Sequence, residues 1–162
     1  MRTPTLFPLW PEFQYLEHQV VGVEWMLSRE AAADGPKGGI LCDEMGLGKT
    51  IQIAGLLKNS PVTPFQQHNL LVAPVAVLEQ WKAVARRAGF AVFVPSASGV
   101  SWQPEGAAAA AAPMALHIIG YEKALAKPLL VRAYTWTRCI YDEAHRLSSN
   151  NTSTDLAKKI DR

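Results

Sequence analysis

The chain has few of the features that mark secreted, membrane or metal-binding proteins. Among its 162 residues there are two cysteines, Cys42 and Cys139, and they lack the close spacing of a metal or redox pair. No apolar run is long enough to span a bilayer, and the N-terminus lacks the hydrophobic core of a signal peptide. The net charge of +2 is too small to indicate a nucleic-acid partner by itself. We therefore expect an intracellular protein with no membrane partner, in which both cysteines are small buried residues.

What the chain does contain is typical of a single layered domain. Its composition, 49% hydrophobic and 19% charged, is ordinary for a globular protein. Short apolar runs predict strands, and runs with helical spacing lie between several of them. The predicted strands are GILCD (39–43), NLLVAPV (69–75), FAVFVP (90–95), ALHIIGY (115–121) and RCIYD (138–142), and the predicted helices cover 15–33, 51–58 and 75–89. This alternation predicts an α/β fold with a parallel sheet flanked by helices, in which catalytic loops follow the carboxyl ends of strands.

The segment DEMGLGKT, residues 43–50, has the features of a phosphate-binding loop. Gly46 and Gly48 let backbone N–H groups face an anion at a helix N-terminus, Lys49 supplies a cation, and the Thr50 hydroxyl can ligate Mg²⁺. The strict pattern requires glycine where this chain has Asp43. The alternative is a glycine-containing turn followed by a helix. The residues predicted to bind the nucleotide are Asp43, Glu44, Met45, Gly46, Leu47, Gly48, Lys49 and Thr50.

A second motif, YDEAH, follows the last predicted strand. Asp142 can hold Mg²⁺, and Glu143 can polarise an attacking water. Together with Lys49, Glu143 is a predicted catalytic residue. The two motifs indicate a nucleotide triphosphatase site, and we expect the loop amides near Gly46 and the acidic pair to converge on one pocket that binds ATP and Mg²⁺.

Other residues are weaker candidates. Gln19 could contact an adenine edge, although a solvent-facing helical glutamine is the favoured alternative. Trp81 is predicted to be a core residue rather than a base-stacking platform. Arg86 and Arg87 fit a solvated helix face as well as a DNA footprint. Zinc at His145 is not expected, because no second histidine has ligand spacing.

Four segments complete the predicted organisation. Residues 1–15 form an extended N-terminal segment that packs against the rest, and residues 16–162 form a partial ATP-binding domain. Residues 96–113, which include six consecutive alanines, form a surface insertion of uncertain order. In the polar tail, Ser153 or Thr154 could cap a short helix over residues 155–161.

The order of these motifs resembles the Swi/Snf-type ATPases of helicase superfamily two. The similar segments are LEHQVVGVEWML, GGILCDEMGLGKTIQ, LLVAPVAVLEQW, HIIGYEKAL and YDEAHRLSS, so that the resemblance covers nearly the whole chain. It implies a RecA-like P-loop lobe that binds ATP and Mg²⁺, with Asp43 usual in the loop and Gln19 close to the adenine. His145 and Arg146 would link the nucleotide state to the rest of the machine.

The resemblance also implies a partner and a location. Members translocate on double-stranded DNA in chromatin remodelling or repair, some on nucleosomes, and are nuclear. The third and fourth segments would face the DNA backbone. APVAVLEQW and the compact opening segment slightly favour the repair-linked subgroup with an inserted RING finger.

Finally, the resemblance implies an incomplete lobe. Family members hydrolyse ATP between two RecA-like lobes, and a Thr-Gly-Thr-Pro-like segment is expected beyond the DEAH motif. A second lobe would supply an arginine finger, so we expect these residues alone to be nearly inactive. The alternative is a truncated, non-catalytic module that binds a nucleotide or a partner. A different P-loop ATPase, such as a ring motor, fits less well.

Overall fold

The structure is a computed structural model that describes residues 6–60, 67–106, 112 and 114–147. The chain forms two compact units, Met1–Val62 and Thr63–Arg162. The predicted helix at 155–161 lies outside the described residues. No helix in the described ranges has both the length and the apolar character needed to cross a membrane.

The first unit is built on two helices, α1 (Glu17–Ala31) and α2 (Lys49–Asn59). Val23 and Met26 of α1 pack with Leu56 of α2 in a small core. The buried side of α1 also includes Gln19, whereas Leu16, predicted to share the apolar face, is exposed. The predicted apolar face is therefore confirmed at Val23 and Leu27, and it differs at its start, because Leu16 precedes the first helical residue.

The opening segment packs onto these helices. Leu9 is buried. The Phe7 backbone N–H donates to Asn59 Oδ1 at 2.6 Å, and the Tyr15 hydroxyl donates to the Phe7 carbonyl oxygen at 3.1 Å. The first bond ties the segment to the last turn of α2, and the second closes the segment on itself.

The predicted strand at 39–43 is wrong. These residues adopt no strand, Ile40 is 77% exposed, and Cys42 is exposed as well. A strand needs a neighbour to accept and donate its backbone hydrogen bonds. All five described strands belong to the second unit, so this segment has no ladder partner in the described part of its own unit. The predicted burial of Cys42 fails for the same reason.

The second unit contains a five-stranded sheet in the order β3-β2-β4-β1-β5. Its strands are β1 (Gln67–Ala73), β2 (Ala91–Pro95), β3 (Trp102–Pro104), β4 (Met114–Gly120) and β5 (Arg138–Tyr141). β1 pairs in parallel with β4 and β5, and β4 pairs in parallel with β2. Four strands thus confirm the predicted parallel sheet. The second cysteine, Cys139 on β5, is exposed, so its predicted burial is also wrong.

One edge of the sheet differs from the prediction. β3 lies inside the predicted insertion of uncertain order and pairs antiparallel with β2. Only residues 96–101 connect the two strands, and the Ser96 N–H donates to the Ser101 carbonyl oxygen at 2.9 Å. A connection this short suits an antiparallel pair, since a parallel pair needs a crossover of about a dozen residues or more. Residues 107–111 lie outside the described part.

Helices pack against this sheet. α3 (Leu78–Arg87) follows a 3₁₀ turn at Val75–Val77 and packs against β2 and β4. α4 (Tyr121–Ala126) and α5 (Pro128–Val131) were not predicted from the sequence. Their buried side chains pack with alternate residues of the central strands, which are Leu70, Val72 and Ile119. Another 3₁₀ turn, Ala144–Leu147, follows β5.

Candidate functional site

The loop that precedes α2 has the backbone geometry of an anion-binding turn. Gly48 is the residue before the first helical turn and has φ 78° and ψ 40°, and Gly46 has φ 89°. These left-handed values favour glycine. The loop is open to solvent, with Met45 93% exposed. Since the first N–H groups of a helix have no intrahelical acceptor, the start of α2 offers donors to an anion.

Lys49 lies folded over this loop. Its Nζ donates to the Asp43 carbonyl oxygen at 2.8 Å and to the Glu44 carbonyl oxygen at 3.1 Å. The ammonium thus stands at the helix N-terminus, and its hydrogen-bond acceptors among the described residues are neutral carbonyl groups. A phosphate would be a stronger partner for it than either carbonyl oxygen.

Asp43, which replaces the first glycine of the strict pattern, has a structural role. Its Oδ2 accepts a 2.6 Å hydrogen bond from Gln52 Nε2, and Gln52 is fully buried on α2. The contact joins the beginning of the loop to the helix that follows it. Sequence reasoning missed Gln52, although a polar residue between apolar neighbours on α2 was an available signal.

Gln19 also contacts the loop. It is 7% exposed, so the solvent-facing alternative is wrong. Its Oε1 accepts from the Leu16 N–H at 3.1 Å, and its Nε2 donates to the Leu47 carbonyl oxygen at 3.4 Å. A Cβ at Gly48 would lie 2.6 Å from Gln19 Nε2. Gln19 therefore packs against the loop at residues 43–50, and its contact with adenine stays a prediction.

His18, the neighbour of Gln19, reaches the same carbonyl group. Its Nε2 lies 2.9 Å from the Leu47 carbonyl oxygen. The start of α1 thus contacts the loop through two consecutive side chains, a link that sequence reasoning did not predict.

The second predicted group lies in the second unit, where Asp142 directly follows β5. Its N–H donates to the Val72 carbonyl oxygen at 3.0 Å and extends the parallel ladder by one residue. Asp142 Oδ2 accepts a 2.7 Å hydrogen bond from Trp81 Nε1. Trp81 is 3% exposed, which confirms the prediction of a core residue and leaves no ring face for base stacking.

Glu143 adopts an unusual backbone conformation. Its φ is 53°, in the left-handed region where residues other than glycine are strained, and its N–H donates to Asp142 Oδ1 at 3.0 Å. Its carboxylate is about half exposed and lies 3.2 Å from His145 Nδ1. Such strain is concentrated at functional sites, where it aims a side chain.

The basic face of α3 is largely paired. Lys82 Nζ lies 2.7 Å from Glu79 Oε1 and 3.3 Å from Glu105 Oε1, and Arg86 lies 2.5 Å from Glu105 Oε2. The carboxylates raise the pKa of Lys82 against the opposing effect of burial. For Arg86 these pairs favour the solvated helix face over a DNA footprint.

The predicted site residues therefore form two groups, each within its own unit. Gln19, Asp43 and Lys49 meet at the loop, while Asp142 and Glu143 are adjacent after β5. The shared pocket expected from the sequence stays a prediction. No cluster of three or more His, Cys, Asp or Glu side chains within the described ranges could hold a metal ion. A magnesium ion at Asp142 would thus need other oxygen ligands, such as those of a phosphate, a hydroxyl group or water.

Comparisons with known proteins bear on the family and the fold of the chain. Residues 18–161 match the SNF2-related domain. The chain is 47% identical over 90 residues to the ATP-dependent helicase ULS1 of Saccharomyces cerevisiae, covering 52% of this chain and 5% of that protein. It is 30% identical over 159 residues to the ATP-dependent DNA helicase DDM1 of Arabidopsis thaliana, covering 90% of this chain and 20% of that protein.

A solved structure supports the fold. The SWI2/SNF2 ATPase core of Sulfolobus solfataricus, determined in complex with dsDNA, aligns with a TM-score of 0.72 and 19% identity over 96% of this chain and 32% of that chain. This likeness confirms the predicted RecA-like α/β fold, apart from the two corrected segments. The chain spans less than a third of the length of the curated relatives it matches, from 4% to 29%. With 144 of its residues matched in one continuous stretch, residues 18–161, the chain belongs to the SNF2-related domain family.

Proposed function

We propose that this chain is the nucleotide-binding lobe of a DNA-dependent ATPase that translocates on double-stranded DNA. The observation that carries the proposal is Lys49, whose ammonium lies over a glycine-containing loop at the N-terminus of α2. That arrangement concentrates a cation and backbone donors where a phosphate group would bind.

Each predicted site residue has a role in this function. Lys49 neutralises phosphate charge, the loop N–H groups hold phosphate oxygens, and Thr50 offers a hydroxyl ligand. Asp142 offers a carboxylate oxygen to Mg²⁺, and Glu143 orients the attacking water. When bound, Mg²⁺ would supply further neutralisation of the phosphate oxygens. Gln19, already held at the loop, is proposed to meet the adenine.

The partner that we propose is duplex DNA, and the location is the nucleus. Support comes from relatives named as DNA helicases and excision repair proteins, and from a structural neighbour determined with dsDNA. The segments that resemble DNA-facing motifs are 70–81 and 117–125, which hold the ends of β1 and β4 and the helices that follow them. Chromatin remodelling and DNA repair are the proposed processes.

The test is a titration of a fluorescent ATP analogue against the chain, with and without Mg²⁺. We expect saturable binding that Mg²⁺ strengthens, and a weaker Mg²⁺ effect in Asp142→Asn. Turnover by the 162 residues alone should stay near background, since hydrolysis is expected to need an arginine finger supplied by a second lobe. Binding that is absent at millimolar protein, or indifferent to Lys49, would contradict the proposal.

A further inference from the structure

Asp142 is held by two side chains that come from other elements of the second unit. The Trp81 indole N–H donates to Asp142 Oδ2 at 2.7 Å, and the Tyr121 hydroxyl donates to the Asp142 carbonyl oxygen at 2.7 Å. Both donors are buried, with Trp81 on α3 and Tyr121 at the first residue of α4. Trp81 therefore holds the carboxylate of Asp142, and Tyr121 holds its backbone carbonyl group.

These bonds fix the orientation of the carboxylate. The Trp81 N–H donates to Oδ2, while the Glu143 N–H donates to Oδ1 at 3.0 Å, so that each oxygen accepts from one donor among the described residues. Hydrogen bonds to an ionised oxygen are short and directional. Because the Trp81 ring is enclosed by the core, its N–H cannot swing away, and the carboxylate retains lone pairs in one defined direction.

We propose that Trp81 and Tyr121 are positioning residues that hold Asp142 ready to bind Mg²⁺, and that Trp81 acts through its N–H group rather than its bulk. The inference rests on the proposed function, which assigns Asp142 to the cation. Carboxylates that ligate metal ions are commonly held by such outer hydrogen bonds, and losing one typically weakens metal affinity or activity by about 10- to 100-fold.

The hydrogen bonds of Trp81 and Tyr121 to Asp142, together called the Asp142 clamp, also link the ends of three strands. β1, β4 and β5 are neighbours in the sheet, and the elements after them supply Trp81, Tyr121 and Asp142. A ligand that shifts α3 or α4 would consequently move the carboxylate. Under the proposed function, that ligand is the DNA backbone. A shift of α3 or α4 on DNA binding would then reach the Asp142 carboxylate through these two hydrogen bonds.

The variant Trp81→Phe tests the inference, since it keeps an aromatic ring and removes the N–H. The matched control is Trp102→Phe, which removes an indole N–H that donates to the Leu130 carbonyl oxygen at 2.9 Å. We measure the Mg²⁺ concentration that half-saturates binding of the fluorescent ATP analogue by the full chain. It should rise about tenfold in Trp81→Phe and less than about twofold in the control.

NMR of the indole N–H signals tests the inference in the unsubstituted chain, in which the core is intact. The Trp81 signal, assigned by its loss in Trp81→Phe or by sequential assignment, should move when Mg²⁺ and ADP are added together, and the Trp102 signal should stay. Normal nucleotide binding with an unchanged Mg²⁺ requirement in Trp81→Phe, or a stationary Trp81 signal, overturns this inference alone. Absence of Mg²⁺-dependent binding by the unsubstituted chain overturns the proposed function and this inference with it.

Discussion

A single ammonium group supplies the positive charge of the loop at residues 43–50, which otherwise contains the acidic residues Asp43 and Glu44. Replacing Lys49 by alanine leaves that acidic pair uncompensated at the N-terminus of α2. We expect the affinity for the fluorescent ATP analogue to fall about tenfold or more, since a hydrogen bond to a charged group contributes about 1.5–3 kcal/mol. Equilibrium titration at fixed Mg²⁺ measures the change.

The matched control is Lys37→Ala in the same unit. Lys37 is exposed and its Nζ lies 3.5 Å from the Glu30 carbonyl oxygen, so it carries the same charge outside the loop at residues 43–50. It should retain the affinity of the unsubstituted chain. Equal losses in the two variants would mean that only net charge matters, and the role assigned to Lys49 would be lost.

At this scale the sequence predicted the residues but not their partners. Lys49, Thr50, Asp142 and Glu143 stand in short motifs, so residue types and spacing were enough to nominate them, and their roles stay predictions. The contacts of Asp43 with Gln52 and of Trp81 with Asp142 join residues nine and 61 positions apart. Such contacts follow from how helices and strands pack, and no local pattern encodes them.

Among the elements, α1 and α2 cross at unusually small residues. A Cβ at Gly22 of α1 would lie 1.9 Å from Gln52 Oε1, and a Cβ at Gly55 of α2 would lie 2.8 Å from Val23 Cγ2. We expect Gly22→Ala to lower the free energy of unfolding by about 1–3 kcal/mol, the usual cost of overpacking. The loss should appear although alanine favours an isolated helix by about 1 kcal/mol over glycine.

Urea denaturation followed by circular dichroism measures this effect. Val21→Ala, at an exposed position of the same helix, is the control and should change the free energy of unfolding by less than about 0.5 kcal/mol. A Gly22→Ala variant as stable as this control would show that the crossing has room for a methyl group. Because Gln52 also binds Asp43, a destabilised Gly22→Ala variant should bind the nucleotide analogue less tightly as well.

The elements that were predicted correctly are those whose hydrophobic pattern can be recognised from the segment alone. α1, α2 and α3 show helical spacing, and β1, β2 and β4 are apolar runs bounded by polar or turn residues. The segment at 39–43 has the same apolar character, but strand formation depends on a neighbouring chain, and the described part of its unit has none. The opposite holds for β3, which has a weak pattern and becomes a strand because a short connection places it beside β2.

At the scale of the whole fold, composition and the alternation of elements were sufficient to predict an α/β sheet, and the five-stranded sheet and its structural neighbour confirm it. Neither composition nor the alternation of elements indicated the buried histidine of the second unit. His117 on β4 is fully enclosed, and its Nε2 lies 3.0 Å from His68 Nδ1. Its Nδ1 has no hydrogen-bond partner within the described part of the chain. The aromatic rings nearest to His117 belong to Phe93, Trp102, Tyr134 and Trp136.

This environment disfavours a charged imidazole. Burial, and to a lesser extent the charge of His68, lowers the pKa of His117 from 6.5 to about 3. Burial also lowers the pKa of His68. Among the described residues that contact His117, His68 and Tyr134 are the ones that can titrate, and neither offers a negative charge at acidic pH. The folded protein therefore keeps His117 neutral at pH values where the unfolded chain protonates it.

The sign of the resulting pH dependence follows from linkage. Between pH 6.5 and about 3, the unfolded state binds more protons than the folded state at His117, so stability is lost as the pH falls through this window. The slope contributed by this residue is at most about 1.4 kcal/mol per pH unit. Urea denaturation at pH 7.5 and pH 5 should show a clear loss in the unsubstituted chain and a smaller one in His117→Gln, which cannot take up a proton.

The comparison depends on the difference between two pH values, so a constant cost of the substitution cancels. His117→Leu, which removes the polar atoms altogether, should show the same flattened dependence. His18→Gln in the first unit serves as the matched histidine control and should keep the full acid sensitivity. If His117→Gln loses as much stability between pH 7.5 and pH 5 as the unsubstituted chain, the acid sensitivity originates elsewhere. Protonated His117 would then be stable among its aromatic neighbours, with buried water as a hydrogen-bond partner of the imidazolium.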